Sequence, residues 1–166
     1  MTINTKTAPH RELTFNSPQE ILDELDLLEA ANNAGTLVHS GNWSPGQILE
    51  HCAKLPLMGL DGPLFKGPLL IRLLLKFPPI RKKALNGEMS RGIQLKGPPA
   101  KALVPPDTTT FEQGLSNMRA QLKRLINGET MTHPSAIFGP LTHDQWIALN
   151  NKHCAMHFGF MSYPET

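Results

Sequence analysis

At 166 residues the chain is most simply one domain spanning 1–166, long enough to bury about 70% of the surface its unfolded form exposes. Sixteen basic against fourteen acidic side chains leave a net charge of +2, too small an excess to imply a nucleic-acid partner. The two cysteines form no disulfide framework, and Met1 to Leu13 lacks an apolar core of signal-peptide length. The greasiest stretch, Leu64 to Ile80, is interrupted by Lys66, Arg72, Lys76 and three prolines, which excludes a membrane span; the expectation is a cytoplasmic protein with reduced thiols.

Aromatic residues are sparse, and β-branched residues are few outside Thr108–Thr110, so the composition leans helical. Ser17-Pro18-Gln19-Glu20 is a helix start, with Ser at the N-cap, Pro at the first helical position and Glu three residues on. Ile21, Leu22, Leu25 and Leu28 follow as an apolar stripe that ends near Asn32-Asn33. Ser44-Pro45-Gly46-Gln47 repeats the pattern ahead of Ile48, Leu49, Leu55 and Met58; Pro56 is expected to end or kink this second helix. A third helix is predicted from Thr110 to Asn127, stopped by Gly128. Thr142-His143-Asp144-Gln145 opens the last, with Asp144 suited to the positive end of its dipole.

Between the second and third of these helices lies a crossover, about 61–107, rich in Pro and Gly at both ends, with a short helix expected over Leu69 to Lys76. Four amphipathic helices with one long connection predict an all-α fold, a four-helix bundle whose second and third helices run parallel. No repeat or low-complexity tract interrupts this plan.

Seven histidines are the one compositional excess that bears on chemistry. His153 and His157 stand four apart in K-H-C-A-M-H, a spacing that roughly a quarter of shuffled chains of this composition would also contain, so the pair alone decides nothing. At about 100° per residue, however, Trp146, Leu149, Asn150, His153, His157 and Phe160 share one stripe of the last helix, the one expected to face inward. On the second helix Gln47, His51, Leu55 and Met58 share another. Three inward imidazoles need partners for every ring nitrogen, either as hydrogen-bonded core rings or as ligands of one divalent ion. Three His with an open position is how catalytic zinc is held, and imidazole also suits nickel, iron or copper. Asn150 is a candidate for orienting a ligand or water, Gln47 for supporting the pocket, and His133 for lining its mouth; His143 reads as a solvated or capping residue, and His10 and His39 have no supporting context. Cys52 and Cys154, each one residue past a candidate ligand, point about 100° away and read as small buried residues.

G-N-W-S-P-G-Q-I-L-E-H at 41–51, H-P-S-A-I-F-G-P-L-T at 133–142 and Q-W-I-A-L-N-N-K-H at 145–153 resemble a DinB-like family, over most of the chain from about Arg11 to Phe160, in a branch described only as of unknown function. The resemblance implies a four-helix bundle with a long second connection and maps a divalent-metal triad onto His51, His153 and His157. It also implies zinc, nickel, iron or a similar ion, transfer of a low-molecular-weight thiol to a small-molecule substrate, and a homodimer. Relatives often carry a His just before the last ligand, where this chain has Met156. The same open site would equally serve metal-dependent hydrolysis. In a third reading the protein is a non-catalytic helical module that binds a partner through the apolar and basic crossover at 64–80.

Overall fold

The computed structural model describes residues 2–164. In chain order its elements are α1 (Pro18–Asn33), β1 (Val38–His39), α2 (Pro45–Asp61), α3 (Leu69–Leu74), α4 (Pro78–Asn86), α5 (Pro98–Leu103), α6 (Phe111–Ile126), α7 (His143–Phe158) and β2 (Met161–Ser162). The described chain is thus mostly helical, with one small two-stranded sheet that the all-α expectation did not include.

The four long helices start as their sequences dictate. Ser17, Ser44, Thr110 and Thr142 each accept, through the side-chain hydroxyl, the backbone N–H three residues on, at 3.2–3.3 Å. In α2, α6 and α7 the reciprocal arm is also closed, because Gln47, Gln113 and Gln145 accept from the N-cap N–H. In α1 the corresponding Glu20 instead accepts from Asn16 N at 2.8 Å, one residue further out. Pro56 does not end α2, which continues to Asp61. Proline deprives the Cys52 carbonyl of its helical donor, but the ring is fully buried and Met58 and Leu60 beyond it are core residues. Packing therefore holds a turn that local preference would break.

Helices α1 and α6, α6 and α2, α2 and α7, and α7 and α1 pack against one another. Ile21, Leu25 and Leu28 meet Ile48, Leu49, Leu115, Met118, Leu122 and Phe158 in the larger core, while Met58, Leu125, Met131, Trp146 and Leu149 form a second. Glycine lets α2 and α6 touch at their N-termini: a Cβ on Gly114 would lie 2.3 Å from the Gly46 carbonyl oxygen, and one on Gly46 would lie 2.4 Å from that of Thr110. At the other end Arg124 of α6 pairs with Asp61 of α2 at 2.6 Å, so the two helices run parallel, as expected.

The segments flanking this core are tied to α1 and α7. Arg11 pairs with the buried Glu24 at 2.5 Å, and Tyr163 donates to the same carboxylate at 3.0 Å. Burial opposes the Arg11 charge, but the hydrogen bond and charge of Glu24 outweigh it and raise the pKa. Strand β1 pairs antiparallel with β2, two residues each, too short for any period-2 pattern to announce them.

The connection from α2 to α6 holds three short helices where one was expected. The Pro78-Pro79 and Pro98-Pro99 pairs look like loop punctuation, yet each supplies the first helical positions of α4 and α5, where a missing N–H costs nothing. The connection is fastened to the body by Gly67 N to Ala136 O at 3.1 Å, by Arg81 to the Phe138 and Pro140 carbonyls, and by Lys152 to the Leu85 and Gly87 carbonyls.

Candidate metal centre

On the seam between α2 and α7, His51, His153 and His157 converge. One ring nitrogen from each can be chosen so that all three lie within 4.8 Å of one another, the one such group of three His, Cys, Asp or Glu among the described residues. Ring centroids are 5.0 Å apart for His51 and His153, and 4.6 Å for each of the other two pairs. The four-residue spacing on α7 puts two rings on one face, and the antiparallel seam brings His51 opposite them.

The chain fixes the tautomer of one ring. His51 Nδ1 lies 3.0 Å from the Leu103 carbonyl oxygen, which can only accept, so Nδ1 carries the proton and Nε2 presents a lone pair. That lone pair faces His153 Nε2 at 3.2 Å. Two arrangements satisfy the contact: His153 Nε2 donates to His51, or both nitrogens offer lone pairs to a cation between them. In either arrangement His153 Nδ1 is buried with no hydrogen-bond partner, a bare acceptor in the first and an unpaired N–H in the second. The second is the carbonyl–histidine–metal arrangement that orients metal-bound imidazoles elsewhere.

All three rings are held neutral. Burial lowers the His51 pKa to about 4, the Leu103 carbonyl works against that shift and the Lys54 charge adds to it. Burial likewise pushes His153 and His157 well below the ordinary value, with the neighbouring imidazoles contributing. Neutral imidazole is the form that binds a metal. Trp43, just before the N-cap of α2, covers the group: its ring stacks on His157 at 5.7 Å and 15°, and meets His51 at 4.7 Å.

The other sequence-selected residues find hydrogen-bond partners outside the triad. Gln47 is spent on the α2 capping box and on Pro105 O and Asp107 at 3.2 and 3.0 Å, fastening the end of the crossover. Asn150 is buried on the inward stripe but turns its Nδ2 to Met131 Sδ at 3.5 Å, with Oδ1 unpartnered. His133 sits beside Gly62, past the far end of α2, about eleven residues or some 16 Å of helix rise from His51; its backbone anchors Trp146 Nε1 at 3.0 Å. His143 Nδ1 accepts from Met131 N at 3.1 Å, a loop N–H, so its side chain ties that loop to α7 and does not cap a helix. Cys52 and Cys154 are free and fully buried, and burial, with Cys154 contributing, raises the Cys52 pKa.

Three features escaped the sequence reading. The Leu103 carbonyl is backbone and has no residue signature. Trp43 was visible in the G-N-W-S-P-G-Q motif, one residue ahead of the cap, but its place over the rings depends on the chain's entry into α2. His10 donates from Nε2 to the Met156 carbonyl at 2.8 Å and packs edge-on to Phe160, so the Met156 turn of α7 is bound by an imidazole from the N-terminal segment. A cleft of about 460 Å³ opens on that side of α7, lined among others by His10, Glu88, Arg91, Lys152 and Met156; none of the three clustered imidazoles lines it.

No curated protein and no solved structure matches the chain. A family described as "Protein of unknown function (DUF1569)" matches residues 7–163, and the chain belongs to that family.

Proposed function

We propose that His51, His153 and His157 hold a divalent metal ion, zinc, nickel or iron, and that the protein is a metal-dependent transferase passing a low-molecular-weight thiol to a small molecule. The observation that carries the metal reading is the 3.2 Å approach of His51 Nε2 and His153 Nε2, with His51 locked in the tautomer that leaves its Nε2 bare. An ion 2.0–2.1 Å from two imidazole nitrogens at a tetrahedral angle places them about 3.3 Å apart. Three protein ligands leave an open position, where a bound thiol or water would lose its proton near neutral pH.

The chain's own residues prepare that position. Burial keeps the three rings neutral, the Leu103 carbonyl orients His51, and Trp43 shields the His51 and His157 faces from solvent. The mutual packing of α1, α2, α6 and α7, with α2 and α6 parallel, supports a DinB-like four-helix bundle and a single domain. The choice of thiol transfer over hydrolysis rests on the resemblance of the 41–51, 133–142 and 145–153 segments to that family.

Elemental analysis of the purified protein beside His51→Ala and His157→Ala tests the site. The expected result is one equivalent of metal in the parent and none in either variant. Added zinc or nickel should also raise the melting point of the stripped parent, since an ion at a thousandfold excess over its dissociation constant stabilises the fold by about 4 kcal/mol. A parent that carries no metal and whose melting point ignores zinc, nickel and chelator refutes the reading. Product analysis with a thiol and a small electrophile then separates transferase from hydrolase.

A further inference from the structure

The Leu64–Ile80 stretch carries eight of the fourteen exposed large hydrophobic side chains of the described residues, with Leu69 and Leu70 about 70% exposed and Phe77 60%. From Gly62 to Gly87 there is no acidic residue, while six basic ones occur: Lys66, Arg72, Lys76, Arg81, Lys82 and Lys83. Arg81 is consumed by the Phe138 and Pro140 carbonyls, and the other five are exposed. The segment is a built projection, because Leu75 is buried beneath it and Gly67 bonds Ala136.

We infer that α3 and α4 form a docking surface for an anionic lipid bilayer, with the leucines of α3 and Phe77 entering the acyl boundary and Arg72 and the lysines meeting acidic headgroups. The exposed apolar side chains of α3 run from Leu69 round to Ile71, an arc of about 200° at 100° per residue. A helix that docks in a protein groove needs only a stripe of about 100°, whereas a fluid acyl phase accepts a wider one. A self-complementary contact between two copies would set this all-basic rim against itself, while an anionic surface neutralises it. Long basic side chains let their apolar stems lie in the interface with the charge at headgroup level. No described helix is long and apolar enough to cross a membrane, so the contact is a peripheral one. It is independent of the metal reading.

Flotation of the full chain with vesicles of phosphatidylcholine alone, or of phosphatidylcholine with phosphatidylserine, tests this inference. Binding is expected to the phosphatidylserine vesicles, weakening as salt is raised. Each basic side chain near an anionic surface contributes roughly fivefold, so Arg72→Gln with Lys76→Gln should lower partitioning roughly 25-fold. Leu69→Ser with Leu70→Ser should abolish binding with the melting point unchanged, since both side chains already face solvent. Equal partitioning to the two vesicle types, or none to either, overturns the inference. So does a dimer seen by sedimentation that the leucine variant dissolves while the parent ignores vesicles, which would assign the surface to a second copy.

Discussion

Acidifying the metal-free protein should cost it stability in a window that the buried imidazoles define. An unperturbed histidine titrates near 6.5, while His51 in the fold titrates at about 4. Between those values the unfolded chain binds a proton that the folded chain refuses, so unfolding free energy falls as pH falls. The contribution is fully present above about pH 6.5 and fully lost below about pH 4. For His51 alone the loss from about pH 7.5 to about pH 5 is roughly 2 kcal/mol, and about 3 kcal/mol once the folded form also titrates. His153 and His157, shifted in the same direction, add to it. The carboxylates that Arg124 holds low, Asp61 and Glu129, are lost only at more acidic pH and do not enter this range. The assay is equilibrium urea unfolding in chelator at several pH values. His51→Leu should flatten the dependence by about 1.2 kcal/mol per pH unit near pH 5.5. A parent whose stability is level from pH 7.5 to 5, or a variant with the parent's slope, refutes the claim that these rings are buried neutral.

Two substitutions probe the scaffold and the cover. Gly114→Ala sets a methyl 2.3 Å from a backbone carbonyl oxygen that cannot swing aside. Overpacking should outweigh the ~1 kcal/mol helical advantage of Ala and leave a net loss of about 2 kcal/mol in urea unfolding; a gain in stability would show that α2 and α6 do not meet at this point. Trp43→Ala removes the ring stacked on His157 and should weaken metal binding about 10- to 100-fold in competition with a chromophoric chelator, with Trp43→Phe recovering most of it. An unchanged affinity in the alanine variant would mean that Trp43 only packs.

What could be read from the sequence is what one helix decides about itself. A Ser or Thr N-cap with a Gln or Glu three residues on is a local agreement between side chain and backbone, and three of the four long helices were found by it, while α6, whose Thr110–Gln113 box has the same form, was found by its apolar spacing and Gly128. The inward stripe of α7 is equally local, and Trp146, Leu149 and Asn150 are buried as it requires. What escaped depends on partners distant in the chain. Pro56 stays helical because its ring is buried by other elements, and β1 finds β2 across more than a hundred residues of sequence. The triad falls between these cases. Each stripe was legible, but the meeting of His51 with His153 is a property of the α2–α7 seam, and the tautomer of His51 is set by a carbonyl at the end of the crossover. That dependence has a physical consequence. Residue type made three imidazoles available, but the backbone of α5 decides which nitrogen of His51 is free to bind. A change that moved Leu103 would release Nδ1, unlock the ring and weaken the site with every histidine still in place.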